Sequence, residues 1–283
     1  MLYRLTAGLI ALGAAYTAYT QQTPPPELTI EKVKDNLYVI VGDGGNVAVY
    51  VTNEGVVLVD DKFEQDHDQI VARVKSVTPQ PIRYILSTHY HADHSGGNTR
   101  FAPTVEIIST RAAREGIVKH IQSNAPDNMV PARVTFTEET SVFLGGHEIR
   151  AHHFGRGHTN GDAVVYFPDL KVIHTGDLFT SATPLIDYPV GGSLVEWPKT
   201  IDKIFASGWD FDTVIPGHGP VSKPADLRGY RDRAQTLMTR AAALIRAGKS
   251  QEEVGKFMTD EYKWTPTSLN MQWSLPGMMR ELK

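Results

Sequence analysis

The chain has 283 residues, long enough for one large domain or two, and its 41% hydrophobic and 21% charged content excludes extensive disorder. The formal net charge of −4 gives no basic excess, so we expect no nucleic-acid partner. The absence of cysteine excludes disulfides and thiolate ligands, so any metal site has to be built from His, Asp and Glu.

The amino terminus has the layout of a secretory signal peptide. Arg4 gives a positive start, residues 5–18 form an apolar run without charge, and Pro-Pro-Pro at 24–26 begins a stiff linker. We predict a signal peptide over residues 1–22 and a periplasmic or secreted protein. No clean small-x-small cleavage pattern is present, so an uncleaved N-terminal anchor is the alternative, and we expect no other membrane contact.

The first half of the chain after the linker combines strands with helices. Short β-branched runs separated by Gly, Asn and Asp predict an antiparallel meander. These runs cover residues 28–33, 37–41, 46–51 and 56–59. Apolar residues at helical spacing predict a surface helix over 65–77, which Pro79 ends. A strand over 82–86 and a strand-helix step over 105–108 and 110–122 follow.

The second half repeats this order of strands followed by helices. The predicted strands are 134–136, 140–144, 148–154, 163–167, 170–174 and 213–216. The predicted helices are 197–206, 224–247 and 251–262. The likeness of the two halves predicts an α/β fold, an αββα sandwich with mixed β-sheets, in a single domain over 27–283. Residues 123–133 are irregular and form either a substrate-facing flap or a plain surface loop.

One motif, His-Tyr-His-Ala-Asp-His at 89–94, directly follows the predicted strand 82–86. It places three histidines and a carboxylate where sites of α/β proteins usually lie. Imidazole and carboxylate suit Zn²⁺ or a similar metal. Four such groups exceed what one tetrahedral ion with an open water position needs, so the motif indicates two metals. A polar loop with chance histidines is the alternative, but only 11 His occur in the chain.

Three more candidates are each preceded by glycine. His158 lies in a glycine-rich loop between predicted strands, and Asp177 and His218 each follow a strand. A single His or Asp in such a position is more often a turn or capping residue. Their joint occurrence in this order favours one shared site.

Together these motifs resemble the metallo-β-lactamase superfamily of dinuclear metal hydrolases. The matching stretches, over residues 27–221, are 89–94, Gly-His-Thr-Asn-Gly-Asp at 157–162, Thr-Gly-Asp at 175–177 and Pro-Gly-His-Gly at 216–219. The resemblance implies that the chain binds two Zn²⁺ ions, with iron and manganese as open alternatives. It implies these ligands: His89, His91 and His158 for the first ion, Asp93, His94 and His218 for the second, and Asp177 between them.

The implied chemistry is hydrolysis by a hydroxide that bridges the two ions. Such a pair lowers the pKa of a bound water toward 7 and polarises a substrate carbonyl. Asp93 is the candidate catalytic residue, because it would orient the hydroxide and take its proton. Hydrogen bonds that orient the imidazoles are also expected. The candidates are Asp60, Thr88, Ser95 and Thr159, with a turn-and-cap role as the alternative for Asp60.

The substrate is expected to be a small molecule. Residues 161–168 are similar to the true lactamases and, with export, favour β-lactamase-like cleavage of an amide or ester bond. Against this, Asp177 replaces the cysteine of the commonest lactamase subclass, and Thr180 stands where that subclass often has a lysine; Arg156 is the candidate substitute. The alternatives are a non-lactam ester, thioester or lactone hydrolase, or a non-hydrolytic metal-binding partner of a quinoprotein oxidation system. The sequence leaves the oligomeric state open.

Overall fold

The computed structural model describes residues 26–123 and 129–283, and within these ranges the strands form a seven-stranded and a five-stranded sheet. The predicted signal peptide over 1–22 lies outside the described residues. Among the helices of the described part of the chain, none combines the length and the hydrophobicity that crossing a membrane requires.

The first sheet contains the predicted meander. Its strands, in spatial as well as chain order, are β1 (Thr29–Lys34), β2 (Leu37–Val41), β3 (Val47–Val51), β4 (Val56–Val59), β5 (Ile82–Leu86), β6 (Glu106–Thr110) and β7 (Val134–Phe136). Strands β1 to β4 pair antiparallel, whereas β4 to β7 pair parallel. The parallel strands therefore all point their carboxyl ends at one edge of the sheet.

The second sheet has the spatial order β12-β11-β10-β9-β8. Its strands are β8 (Glu139–Leu144), β9 (His147–His152), β10 (Val164–Phe167), β11 (Val172–His174) and β12 (Thr213–Ile215). Only the β11–β12 pair is parallel. Strand β9 ends earlier than the predicted 148–154, since the chain leaves the sheet there to form the loop that carries His158.

Helices cover the outer faces of both sheets. The α-helices of the described residues are α1 (His67–Val77), α2 (Ala92–Ser95), α3 (Asn98–Phe101), α4 (Arg111–Gln122), α5 (Trp197–Ala206), α6 (Pro224–Arg246), α7 (Gln251–Tyr262) and α8 (Leu275–Glu281). The predicted start of α1 at residue 65 is instead a short 3₁₀ turn, Glu64–Asp66. The hydroxyl of Thr110 accepts a hydrogen bond from the Ala113 N–H and caps α4 at its predicted start.

The core has three layers because side chains alternate along each strand. In β3, Ala48 and Tyr50 face the other sheet, whereas Val47 and Val49 face α1. In β10, Val165 and Phe167 face the first sheet, and Val164 and Tyr166 pack under α5 and α6. Strands with both faces buried read as continuous apolar runs. Helix, sheet, sheet and helix thus stack in the predicted αββα order, and this prediction is confirmed.

Candidate metal centre

The candidate ligands collect at one edge of the sandwich, after the strands that supply them. The 89–94 motif begins three residues after β5, with His91 at the N-cap position of the short helix α2. Asp177 follows β11 in a 3₁₀ turn, Gly176–Leu178, and His218 follows β12. The two sheets are joined here by backbone hydrogen bonds, among them Ala163 N–H to the Thr88 carbonyl at 2.8 Å. Strand ends thus aim side chains from both sheets at one point.

All seven sequence-predicted residues come together at this edge. Their candidate ligand atoms form three sets, and within each set the atoms lie within 4.8 Å of one another. We call His89, His91 and His158 the first ligand group, and Asp93, His94 and His218 the second ligand group. The third set, His89, His94 and Asp177, takes one histidine from each group and adds Asp177. The structure therefore brings together every residue that the resemblance implied, while their metal-binding roles stay predictions.

Distances within each group are short. In the first ligand group, His91 Nδ1 lies 3.1 Å from His89 Nε2 and 2.8 Å from His158 Nε2. In the second, His218 Nε2 lies 3.2 Å from His94 Nε2 and 3.1 Å from Asp93 Oδ2. Asp177 places Oδ1 3.2 Å from His94 Nε2 and Oδ2 3.7 Å from His158 Nε2. One carboxylate oxygen is therefore directed toward each group.

Two glycines permit this crowding. A Cβ on Gly45 would lie 2.2 Å from the His94 ring, and a Cβ on Gly217 would lie 1.9 Å from Asp177 Oδ1. Any larger residue would displace a ligand. The loop around Gly45 is held by Lys62, a fully buried lysine whose Nζ donates to the carbonyls of Asp43 and Gly45 at 2.7 and 2.5 Å.

Hydrogen bonds behind the first ligand group fix each ring. His158 Nδ1 donates to the Leu185 carbonyl at 2.7 Å, and His91 Nε2 donates to Asp187 Oδ2 at 2.9 Å. The Thr88 hydroxyl donates to Asp60, so its lone pair accepts from His89 Nδ1 at 3.0 Å. Each ring therefore carries its proton on the outer nitrogen and turns the lone pair of the other nitrogen toward the group's centre.

Behind the second ligand group the main partner is Asp60, which is fully buried. Its Oδ2 accepts from His94 Nδ1 at 2.7 Å, and its Oδ1 accepts from the Thr88 N–H at 2.7 Å. Asp60 thus orients one imidazole and, through Thr88, contributes to holding a second. This geometry matches the hydrogen-bonding role that the sequence suggested for Asp60, rather than a cap.

The other two predicted supports do not touch an imidazole. Ser95 donates to the carbonyls of Tyr90 and His91, and Thr159 donates to Asp162. Sequence reasoning missed Asp187 and the Leu185 carbonyl, which take that role for His91 and His158. The only signal for Asp187 was an Asp-Tyr-Pro turn without a periodic pattern, which is too common to identify it.

Electrostatics separate the two groups. Burial and neighbouring imidazoles lower the pKa of His89 well below its usual range and that of His158 to about 4, so both rings are neutral at pH 7. In the second group burial disfavours the charged form of each side chain, but the attraction between carboxylates and imidazoles is larger. Asp177 and Asp93 raise the pKa of His94 and bring that of His218 to about 9, while these imidazoles hold the pKa of Asp93 at about 2.

These residues fit metal cations. In the first group His91 Nδ1 lies 3.1 Å from His89 Nε2 and 2.8 Å from His158 Nε2, and a cation among these ring nitrogens satisfies the arrangement. Asp177 Oδ1 is buried and has no hydrogen-bond partner among the described residues. The second group joins carboxylates to imidazoles that would release protons when a metal binds. Histidine and carboxylate donors without thiolate suit zinc, iron or manganese.

A cavity of about 470 Å³ opens above both groups. Its floor includes Asp93, Asp177 and imidazoles of both groups, and Thr180 lies in its wall. Arg156, the sequence-predicted anion partner, is exposed, donates to the Gly191 carbonyl and does not line the cavity. Met129, from the predicted flap region, is buried and lines it, whereas residues 124–128 lie outside the described part.

Comparisons with known proteins identify the family of the chain. A sequence model of the metallo-beta-lactamase superfamily matches residues 40–248. A metallo-beta-lactamase type 2 from Elizabethkingia meningoseptica is 30% identical over 226 residues, which are 74% of this chain and 86% of that protein. The 2,4-dinitroanisole O-demethylase subunit alpha of a Nocardioides species is 26% identical over 217 residues, 75% of this chain and 62% of that protein.

Solved structures give the same answer for the fold. The crystal structure of the DIM-1 metallo-beta-lactamase superposes with a TM-score of 0.65 at 22% sequence identity, covering 75% of this chain and 98% of that one. At this identity the likeness concerns the fold alone.

Proposed function

The chain belongs to the metallo-beta-lactamase superfamily, and we propose that within it the protein is an exported two-zinc hydrolase that cleaves an amide or ester bond of a small molecule. Its relatives in this family support a metal-dependent hydrolase. The observation that carries the finer proposal is the convergence of two ligand groups with Asp177 between them. The first ligand group would hold one ion, the second ligand group the other, and Asp177 both.

The chain's own residues prepare this site for hydrolysis. When bound, the ions supply a Lewis acid for a carbonyl oxygen and lower the pKa of a coordinated water toward 7. Asp93 is ionised at pH 7, because its pKa is about 2, and its side chain is 26% exposed at the cavity floor. It can therefore accept a hydrogen bond from an attacking water and orient it. The partners behind the imidazoles keep their lone pairs directed inward.

The ring amide of a β-lactam is the first candidate substrate. It is supported by relatives that are named metallo-beta-lactamases and by the similarity of residues 161–168 to those enzymes. A non-lactam ester, thioester or lactone is the second candidate. It is favoured by the cavity, since no lysine or arginine is among the described residues that line it to pair with a drug carboxylate.

The decisive experiment uses purified protein loaded with zinc and a panel of nitrocefin, a lactone and a thioester. We expect two bound zinc ions by elemental analysis and turnover of at least one substrate that a chelator abolishes. His91→Ala should lose metal and turnover, whereas the matched control His147→Ala should keep both, because His147 is bonded to Asp169 far from the site. Protein without metal, or turnover that a chelator leaves unchanged, would refute the proposal.

Two further parts of the proposal have their own tests. Export predicts that protein expressed with residues 1–22 is recovered outside the cytoplasm and shortened near residue 22, which mass spectrometry of the intact chain measures. The non-hydrolytic alternative, a metal-binding partner in quinoprotein oxidation, predicts bound metal without turnover of any panel member. That outcome would retain the metal centre and overturn hydrolysis.

A further inference from the structure

One wall of the cavity comes from a part of the chain beyond the superfamily match, which ends at residue 248. Leu269, Asn270 and Trp273 line the cavity from this side. They lie in and beside a single π-helical turn, Asn270–Ser274, just before α8. We call these three residues the C-terminal wall. The Trp273 ring centroid is 6.0 Å from that of His91, so the wall stands directly beside the first ligand group.

The C-terminal wall is fixed to the domain. Buried side chains on both sides of it, Trp264, Leu275 and Met278, belong to the core cluster under α5 and α6. The Ser274 hydroxyl accepts from the Ile186 N–H at 2.8 Å and donates to the Ile186 carbonyl at 2.9 Å. Asn270 Nδ2 donates to the Pro184 carbonyl at 2.9 Å. A π turn is often found at functional sites, and here it sets the position of an aromatic ring at a cavity.

The cavity wall above the floor is mostly apolar. Phe63, Met129 and Leu185 face it together with Trp273 and Leu269. Its charged and titratable lining groups, within the described residues, are Asp93, Asp177, the phenol of Tyr90 and the imidazoles of His91, His120, His158 and His218. A substrate carboxylate held against the C-terminal wall would lose hydration without a lysine or arginine to pair with. An uncharged aromatic or alkyl group would instead bury its surface against the Trp273 indole.

We propose that the C-terminal wall selects neutral substrates that carry a flat or alkyl apolar group next to the scissile carbonyl, and that it discriminates against those with a carboxylate there. This inference rests on the proposed hydrolytic function and, for the same cavity, favours its second candidate substrates, the non-lactam esters, thioesters and lactones, over β-lactams that carry a carboxylate beside the ring amide. Trp273 is the specificity-determining residue, and Leu269, with 44% of its surface exposed, extends the apolar contact toward solvent.

A matched pair of esters tests the inference. 4-Nitrophenyl valerate and mono-4-nitrophenyl glutarate share the leaving group and chain length and differ by a terminal methyl or carboxylate. We expect kcat/KM of the zinc-loaded protein to favour the valerate by roughly tenfold or more, mainly through KM. Trp273→Lys should shift this ratio toward the glutarate by roughly tenfold, whereas Trp273→Phe should preserve it. Phe143→Lys is the control, because Phe143 is 72% exposed and remote from the cavity.

A binding measurement separates this inference from the proposed function. Calorimetry with 4-nitrobenzyl alcohol, a neutral ligand that cannot be hydrolysed, should show binding that Trp273→Lys weakens by roughly tenfold and Phe143→Lys leaves unchanged. If neither ester is turned over but this pattern of binding holds, hydrolysis fails and the C-terminal wall stands. If both esters are turned over equally, or Trp273→Lys leaves the ester ratio and ligand affinity unchanged, the inference is overturned.

Discussion

The two ligand groups lie side by side, yet they are held in different ways. The first ligand group consists of imidazoles alone, each with a hydrogen-bond partner behind it that fixes its orientation. The second ligand group relies on carboxylate charge and is more open, since the side chains of Asp93 and His218 are 26% and 36% exposed. We infer that hydrogen-bonded ring orientation organises the first group and that electrostatic attraction organises the second. Substitutions should therefore affect the two ions separately.

The largest effect is expected from Asp93→Ala, which removes a ligand and the proposed catalytic carboxylate together. Activity should fall roughly a thousandfold or more, and zinc content should fall by about one equivalent while the first ion stays bound. Elemental analysis and substrate turnover measure both. Asp35→Ala, at an exposed turn, is the control. Loss of both ions would show that the groups form one cooperative unit.

A smaller effect is expected from Asp60→Asn, which weakens the acceptor behind His94 and keeps its shape. Affinity for the second ion should drop about 10- to 100-fold, because such partners orient and polarise the ligand. Competition with a chromophoric chelator resolves the two binding steps. Because Thr88 also contacts Asp60, a modest loss of affinity for the first ion is consistent with this role. A loss of affinity for the first ion alone would contradict the assignment of Asp60 to the second ligand group.

Asp187→Asn addresses the first ligand group by weakening the acceptor for His91 Nε2. We expect roughly tenfold weaker binding of the first ion and an unchanged second step. Tyr90→Phe is the matched control, since it removes only the hydroxyl that donates to the same carboxylate and leaves the carboxylate in place. The same chelator competition measures both variants, and equal effects of the two would remove Asp187 from its assigned role.

The smallest effect concerns pH and Asp162, which accepts hydrogen bonds from Thr159 next to His158. Burial raises the pKa of Asp162 from 3.8 to about 7. The folded state then binds this proton more tightly than the unfolded chain, so its contribution to stability is lost as pH rises from about 4 through 7. Asp162→Asn should lack this component. Between about pH 4 and 7, the difference in Tm between the unsubstituted protein and Asp162→Asn should change by a few degrees, at about 2–4 °C per kcal/mol. A difference in Tm that is constant over this range would contradict the raised pKa.

Most of the fold was predictable because its signals are local. Strand β4 and helices α5 and α7 occur at the predicted bounds, since turn residues, proline and periodic apolar positions mark their ends. The ligands were predictable for a related reason. Four of them share one loop, and Asp177 and His218 follow strands whose carboxyl ends the sandwich has to bring to one edge.

The partners of these ligands were not predictable in the same way. Asp187 reaches His91 across 96 positions, and the Leu185 carbonyl reaches His158 across 27. Both belong to an irregular segment whose path depends on packing against α8 and the π turn. A carbonyl partner has no side-chain signature at all. The place of Trp273 in the cavity wall was equally unpredictable, because an aromatic residue near a terminus most often packs in the core.

The hydrogen bonds between Ser274 and Ile186 have a consequence for how this enzyme can be altered. Ile186 lies between Leu185 and Asp187, so the segment that carries the C-terminal wall is also hydrogen-bonded to the stretch that supplies the partners of His158 and His91. We expect that shortening or redesigning the last thirty or so positions would weaken binding of the first ion as well as broaden the range of substrates. Substrate range and metal retention are therefore coupled traits, and directed evolution at this end of the chain has to select for both at once.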